Sequence, residues 1–308
     1  MQEFPTPAIS VIVPNCGRMD HLEKCLKGFA TQTLSLARIE LILGGCRTID
    51  QEELVRERFA GLIPLVFTGH GTADPWAIRN ASIRIARAPL IALYSAELAP
   101  HNNLCEYCLN FHERHPTVNR ACLLGFDADP LYRRLHPLPP ASAEHVSWSF
   151  FRAESICCKT AVFENGEFDA TFGNMAGAEF ALRMLRRIDF TLAFESRITG
   201  SRPAPFDLRA NCEGQYLAAY YEYFLARKYP GVVAHSWSER IEDSDQLAAL
   251  MATVRGMDRA GNPSNSYRHR MIEALYSRIE EHARAEGWAA ARNALPPKAP
   301  GTVGPLLK

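Results

Sequence analysis

Ile9-Ser10-Val11-Ile12-Val13-Pro14 is an almost wholly apolar run closed by a proline, and Leu90-Ile91-Ala92-Leu93-Tyr94 is a second run of the same kind. Neither alternates apolar with polar positions, so each reads as a strand buried on both faces of a sheet. Between them the period changes repeatedly. Residues 20–29 place Leu22, Leu26 and Phe29 at helical spacing. Residues 39–43 return to an apolar strand, 51–59 are helical, 64–67 form another strand, and 75–88 form a helix stopped by Pro89. This alternation of strand and helix predicts a mainly parallel sheet flanked by helices and joined by right-handed crossovers, an α/β fold.

Beyond Pro100 the pattern loosens. A helix is expected over 103–115, with Leu104, Cys108, Leu109 and Phe111 on its core face, and a strand over 121–125. Residues 126–147 carry Pro130, Pro137, Pro139 and Pro140 and little periodicity, which predicts a long loop. A strand region at 149–158, an amphipathic helix at 179–187 and a last strand at 190–195 follow. The C-terminal third reads as helical: 213–229, with an aromatic face of Tyr216, Tyr220, Tyr223 and Phe224, then segments near 243–257 and 265–292. The tail, 296–308, is rich in proline and glycine and is expected to be flexible.

Composition narrows the function. The 308 residues are 47% hydrophobic and 22% charged, ordinary for a soluble globular protein. Thirty-four basic residues balance thirty-four acidic ones, which argues against a nucleic-acid partner reading a broad basic face. No apolar run approaches a membrane span, and the first residues lack the basic and apolar regions of a signal peptide. Nine cysteines without framework spacing fit free thiols and a cytoplasmic location.

Four stretches resemble family-2 glycosyltransferases of the GT-A fold, over roughly residues 8–230. The first is Ser10-Val11-Ile12-Val13-Pro14-Asn15-Cys16-Gly17-Arg18, similar to the family's strand ending in Pro-Thr-Tyr-Asn-Arg. The second is Ala77-Ile78-Arg79-Asn80 with Ile83, Ala86 and Pro89-Leu90-Ile91, which looks like the Ala-Arg-Asn helix leading into the metal-binding strand. The third runs from Leu93 to Pro100, then Leu104 and Phe111-His112-Glu113-Arg114-His115-Pro116. The fourth is Phe163-Glu164-Asn165-Gly166-Glu167-Phe168-Asp169 followed by Gly177-Ala178-Glu179 and Leu182-Arg183, similar to the acceptor-side Gly-Gly-Phe-Asp turn and Gly-Glu-Asp motif. The resemblance implies a GT-A-like sheet with a helical C-terminal extension. It divides the chain into a nucleotide-binding half (1–125), an acceptor-side half of the same domain (126–212) and the extension (213–295).

What the resemblance implies for the site is set by departures from the family's pattern. The Asp expected after the second strand, which holds the nucleotide base, is replaced by Gly44 or Gly45. The metal-binding Asp-x-Asp is reduced to Ser95-Ala96-Glu97, one hydroxyl and one carboxylate, a weak ligand set for Mg or Mn. The nucleotide-binding residues implied are Pro14, Asn15, Cys16, Arg18, Gly44, Gly45, Arg79, Asn80 and Ser95. Glu97 and Arg202 fall at the diphosphate or a weakly bound metal, where an arginine fork pairs with phosphate oxygens. Glu179 stands at the catalytic base that deprotonates the acceptor; it reads equally well as a first-turn helix residue favoured by the dipole.

Other motifs favour structural readings. Asp127-Ala128-Asp129 is a literal Asp-x-Asp, but Asp129-Pro130 favours a turn. Cys105 and Cys108 lie one helical turn apart with no second pair, as buried thiols on a core face would. Arg268-His269-Arg270 reads as a solvated helix turn. The expected activity is transfer of a sugar from a nucleotide-sugar donor to an unidentified acceptor hydroxyl, inverting and with weak or no metal dependence. The lost carboxylates keep open an inactive scaffold protein, or a cleft adapted to another ligand. The C-terminal helices could serve a homo-oligomer.

Overall fold

The computed structural model describes residues 6–14, 18–46, 48–68, 74–135, 138–139, 143–203, 207–231, 252–253 and 266–297. The chain divides into two compact units. One comprises Met1–Asp129, Leu138–Ala170 and Ala176–Pro205; the other comprises Pro130–Pro137, Thr171–Met175 and Phe206–Lys308.

The first unit is built on β1 (Ile9–Pro14), α1 (Met19–Ala30), β2 (Ile39–Gly44), α2 (Ile49–Phe59), β3 (Leu65–Thr68), α3 (Pro75–Ile85), β4 (Leu90–Tyr94), β5 (Ala99–Pro100), α4 (Leu104–Arg114), β6 (Arg120–Asp127), β7 (Ser155–Lys159), α6 (Ala176–Ile188) and β8 (Thr191–Ser201). Among these residues the sheet has eight strands in the order β3-β2-β1-β4-β7-β6-β8-β5. Strands β3, β2, β1 and β4 are parallel, as the opening alternation predicts. Strand β7 runs antiparallel between β4 and β6, and β6 and β8 are again parallel. Every residue of β1, β2 and β4 is buried, which is why these strands read as continuous apolar runs.

Two polar residues inside that run have a shared purpose. The Glu40 carboxylate is buried in β2 and accepts from the Ser10 hydroxyl (2.6 Å), the Arg87 main-chain N–H (3.0 Å) and the Arg87 Nε (2.5 Å). Ser10 Oγ in turn accepts from the Ala88 N–H at 3.1 Å. This network draws residues 86–88 out of the helix. Hence α3 stops at Ile85, three residues earlier than expected from Pro89 alone.

The sequence-based element limits need correction at several points. Strand β6 continues to Asp127, and a short helix α5 (Pro130–Leu135) occupies part of the expected loop. Strand β7 begins only at Ser155, after a 3-10 turn at Trp148–Phe150. Strand β8 continues to Ser201, because its second half pairs with the late residues of β6 and with β5. Helix α6 starts at Ala176. The segment near 243–257 lies almost wholly outside the described residues.

The second unit is dominated by α7 (Leu208–Lys228) and α8 (Ser266–Arg292). Cys212, Tyr216, Tyr220, Tyr276, Ile279 and Ala283 form their shared core, so the aromatic face of α7 is packing surface. Gly287 is required at the crossing, since a Cβ there would run into the Tyr216 carbonyl. Arg284 crosses between the helices to Glu222 at 2.7 Å and Gln215 at 2.6 Å. Burial lowers the Arg284 pKa, while Glu222 and Glu280 oppose that shift.

Candidate functional site

Strands β1, β2, β3, β4, β6 and β8 point one way, so their carboxyl ends share one edge of the sheet; β7 brings its amino end to the same edge. Ligands of open α/β sheets bind outside that edge. It carries Pro14 at the end of β1, opposite Gly44 at the end of β2. Asn15 and Cys16 lie outside the described residues. Arg18 follows, 74% exposed, with Nε and Nη2 on Asp20 at 3.0 and 2.9 Å. That hydrogen bond, chiefly, holds the Asp20 carboxyl below its ordinary value.

The two glycines after β2 have different physical causes. A Cβ on Gly44 would overlap the Ile78 Cγ2 methyl and come within 3.2 Å of Ser82 Oγ, so α3 lies directly on this position. Gly45 has φ +67°, the left-handed region, and its N–H donates to the Thr68 carbonyl at 2.9 Å. One position is closed by packing and the other is shaped by backbone conformation.

At the end of β4 the chain turns back. The Glu97 N–H donates to Ser95 Oγ at 3.1 Å and the Leu98 N–H to the Ser95 carbonyl at 3.1 Å. The Ser95 N–H donates to the carbonyl of Glu154, just before β7, at 2.9 Å. Glu97 and Arg202, both expected at the diphosphate, meet: Arg202 Nη2 donates to Glu97 Oε2 at 2.9 Å, with side chains 23% and 53% exposed for Arg202 and Glu97 respectively. The Arg202 main-chain N–H donates to the Asp127 carbonyl at 2.6 Å, which brings the Asp-x-Asp of 127–129 to the same edge.

Arg79 rises from the first turns of α3, partly buried. Its guanidinium lies over the Trp76 ring at 4.5 Å, and Nη1 donates to the Pro75 carbonyl at 3.3 Å. Its Nε is buried and makes no hydrogen bond among the described residues. Burial lowers the Arg79 pKa, opposed by the carboxylates of Glu154 and Asp74. Glu154 thus joins this edge, through its main chain to Ser95 and its charge to Arg79. Its position along the chain carries no signal of this, because only the antiparallel register of β7 brings it there.

Asn80 and Glu179 are placed differently. Asn80 is buried; its Nδ2 donates to the Phe168 carbonyl at 2.9 Å and its Oδ1 accepts the Phe168 N–H at 3.0 Å. Glu179 is 0% exposed and pairs with Arg183, 16% exposed, through Nε at 3.1 Å and Nη2 at 3.1 Å. Arg183 also donates to the Glu167 carbonyl at 2.5 Å, and Arg187 to that of Asn165 at 2.7 Å. Phe168 itself packs among Trp76, Phe151, Phe163 and Phe180. These residues therefore clamp the 163–169 turn from two helices. The role of Arg183 was legible in its i,i+4 spacing from Glu179.

Mg²⁺ and Mn²⁺ require several oxygen ligands. Among the described residues no three of His, Cys, Asp or Glu gather as a metal site. Ser95 and Glu97 supply one hydroxyl and one carboxylate already paired with Arg202, a poor fit for either ion. Cys105 and Cys108 are buried in α4, and burial pushes the Cys105 thiol up. No helix among the described residues is long and apolar enough to cross a membrane.

The sequence matches no family model and no curated protein. Solved structures do match in fold. Mannosyltransferase PcManGT from Pyrobaculum calidifontis, solved with GDP-Man and Mn²⁺, superposes with a TM-score of 0.62 at 16% identity, covering 94% of this chain and 87% of that one. S. aureus TarS 1-349 superposes with a TM-score of 0.55 at 12% identity, covering 93% and 91%. Its complex with UDP-GlcNAc gives 0.54 at 12% identity over 93% and 92%. The mostly parallel sheet, flanking helices and helical C-terminal region are the GT-A-like fold these structures share.

Proposed function

We propose that this protein is a glycosyltransferase that moves a sugar from a nucleotide-diphosphate donor to an acceptor hydroxyl, with inversion and with weak or no dependence on Mg or Mn. The observation that carries the reading is the likeness of fold, over more than nine tenths of the chain, to structures that hold GDP-Man and UDP-GlcNAc. The placement of two arginines on the carboxyl edge of the sheet supports it. In the transfer, the acceptor oxygen bonds to the anomeric carbon as the bond to the diphosphate breaks. The proton on the acceptor oxygen passes to solvent water, and the diphosphate leaves with the bonding electrons. Arg79 and Arg202 meet the charge that develops on it, in place of a strongly held cation. Glu97 fixes Arg202, and Glu154 steadies Arg79. Glu179, enclosed against Arg183, orders the acceptor-side turn in this reading, and Asn80 anchors the same turn to α3.

The test is calorimetric titration and turnover with UDP, GDP, CDP and dTDP species, with Mn²⁺ or with EDTA. One nucleotide diphosphate is expected to bind, with affinity changed less than about tenfold by chelation, and Arg79→Ala is expected to weaken it by about tenfold or more. A loss of about a hundredfold on chelation, about 2.7 kcal/mol, overturns the metal assignment. Absence of binding by every nucleotide overturns the transferase.

A further inference from the structure

A cavity of about 530 Å³ opens in the first unit between the end of α4, the start of β6 and the middle of β8. Its origin is a local irregularity. Leu123 pairs with Phe194 and Gly125 with Ile198, so the single residue Leu124 on β6 faces three on β8, Glu195, Ser196 and Arg197. The surplus is pushed out of the ladder, and the Arg197 carbonyl turns toward Gly125, whose missing Cβ leaves room for it. Such bulges re-aim side chains and recur beside functional sites. On the other side of β8, Ala143 bridges Phe194 and closes the cavity wall. On β6 the partners of Phe194 and Ser201 are Leu123 and Asp127, four residues or roughly 13 Å apart. The cavity thus lies below the carboxyl edge described above, and none of its lining residues is among those placed on that edge.

The charges in the lining are unequal. Three guanidiniums, of Arg114, Arg120 and Arg197, face two carboxylates, of Glu144 and Glu195. Arg114 is committed: it holds Glu195 at 2.9 Å, and its Nε donates to the Asn110 carbonyl at the end of α4. Burial raises the Glu195 carboxyl, but the Arg114 hydrogen bond and charge carry it below its ordinary value. Arg120 donates to His115 Nδ1 at 2.8 Å, so Nδ1 is the acceptor and the ring carries its proton on Nε2 as a donor. Among the described residues the other guanidinium nitrogens of Arg120 make no hydrogen bond and remain for a ligand. Arg197 is exposed and lies over Tyr107, while Glu144 is exposed at the rim. Phe111, tilted against His115 with ring centroids 4.7 Å apart, and Phe194 line the cavity beside these donors, 1% and 3% exposed.

We propose that this cavity binds a small organic anion, with a phosphate or carboxylate held by Arg120, Arg197 and the His115 Nε2–H and an apolar body against Phe111 and Phe194. The pairing follows from chemistry. Arginine forks match planar or tetrahedral oxyanions bidentately, and the aromatic edges reward a flat body. The proposal does not depend on the transferase reading.

The probes are phenyl phosphate, benzoate, inorganic phosphate and the neutral phenyl β-glucoside, titrated into the whole chain and followed by calorimetry. Phenyl phosphate or benzoate is expected to bind saturably at one site, which tells phosphate from carboxylate. Inorganic phosphate should bind more weakly, and the glucoside should not bind. Arg197→Gln, at an exposed position, and Arg120→Gln should each weaken the better probe by about tenfold. Arg79→Ala should leave it unchanged. Absence of saturable binding, or binding that survives both substitutions, overturns the proposal. Loss of the probe on Arg79→Ala also overturns it, by assigning the binding to the carboxyl edge.

Discussion

The clamp around the 163–169 turn and the carboxyl edge of the sheet draw on the same resembling stretches, yet they treat polar side chains in opposite ways. Asn80, Glu179 and Arg183 are enclosed or nearly so, and each is matched to a specific partner. Arg79, Glu97 and Arg202 keep partial exposure, and Arg79 retains a buried nitrogen with no hydrogen-bond partner among the described residues. A buried polar group that is fully satisfied builds structure, because removing either partner strands the other. A half-exposed group with an unused donor has capacity left for a ligand. The difference between the two regions lies in solvent access and hydrogen-bond completeness rather than in residue type.

The sharpest break of this comparison is Gly44→Asp, which restores the acid that the resemblance implies for base recognition. If the position is closed by α3, the new side chain collides with Ile78 and a carboxylate enters a packed interface. The expected loss is at least about 3 kcal/mol in urea unfolding, with no gain in nucleotide affinity. A folded variant with tighter nucleotide binding would show the position to be open.

Glu179→Gln probes the clamp. It keeps the shape but leaves Arg183 without its counter-ion, at an expected cost of about 3 kcal/mol. Turnover should fall in step with stability. An unchanged melting temperature with turnover lower by about a hundredfold or more would instead make Glu179 the catalytic base.

His112 offers an enclosed polar group that is incompletely satisfied, and so a contrast to the clamp. Burial pulls its pKa down to about 4, although its bond to the Cys157 carbonyl opposes this. A base whose folded pKa lies below the unfolded value of 6.5 binds fewer protons folded than unfolded. Its contribution is intact above about pH 6.5 and is lost as pH falls toward 4. Stability should drop by about 2 kcal/mol between pH 7 and pH 5, measured as the urea midpoint. His112→Phe should flatten that slope; an unchanged slope assigns it to other groups.

The smallest expected effect is on the edge. Glu97→Gln breaks an exposed ion pair and should cost less than about 1 kcal/mol of stability. Nucleotide affinity should change more than stability does, because Arg202 loses the partner that orients it. A large stability loss with unaltered binding would place Glu97 with the clamp residues.

Much of the first unit is legible in the amino-acid order alone. Strands β1, β2 and β4 are buried throughout, so their sequence has no polar face to conceal them. The limits of β7 and β8 are not legible, because they depend on pairing with distant strands rather than on local period. The division of the site residues is hidden for a related reason. Arg79 and Asn80 are adjacent on one helix, and nothing in their spacing says that Asn80 meets the main chain of Phe168 and Arg79 does not. Glu154 is invisible, since its place beside Ser95 follows from the antiparallel register of β7.

The sequence by itself determined the parallel half of the sheet, a property of period along the chain, and carried the motifs that resemble nucleotide-sugar transferases; the resemblance implies carboxylates where this chain has Gly44 or Gly45 and Ser95. Only the tertiary structure decided that Ile78 lies where a side chain on Gly44 would begin, which polar side chains are enclosed, and that Glu97 and Arg202 meet across 105 residues. The physical reason is common to all three. Burial, close approach and ion pairing are set by which segments the fold brings together, and local sequence carries no record of distant neighbours.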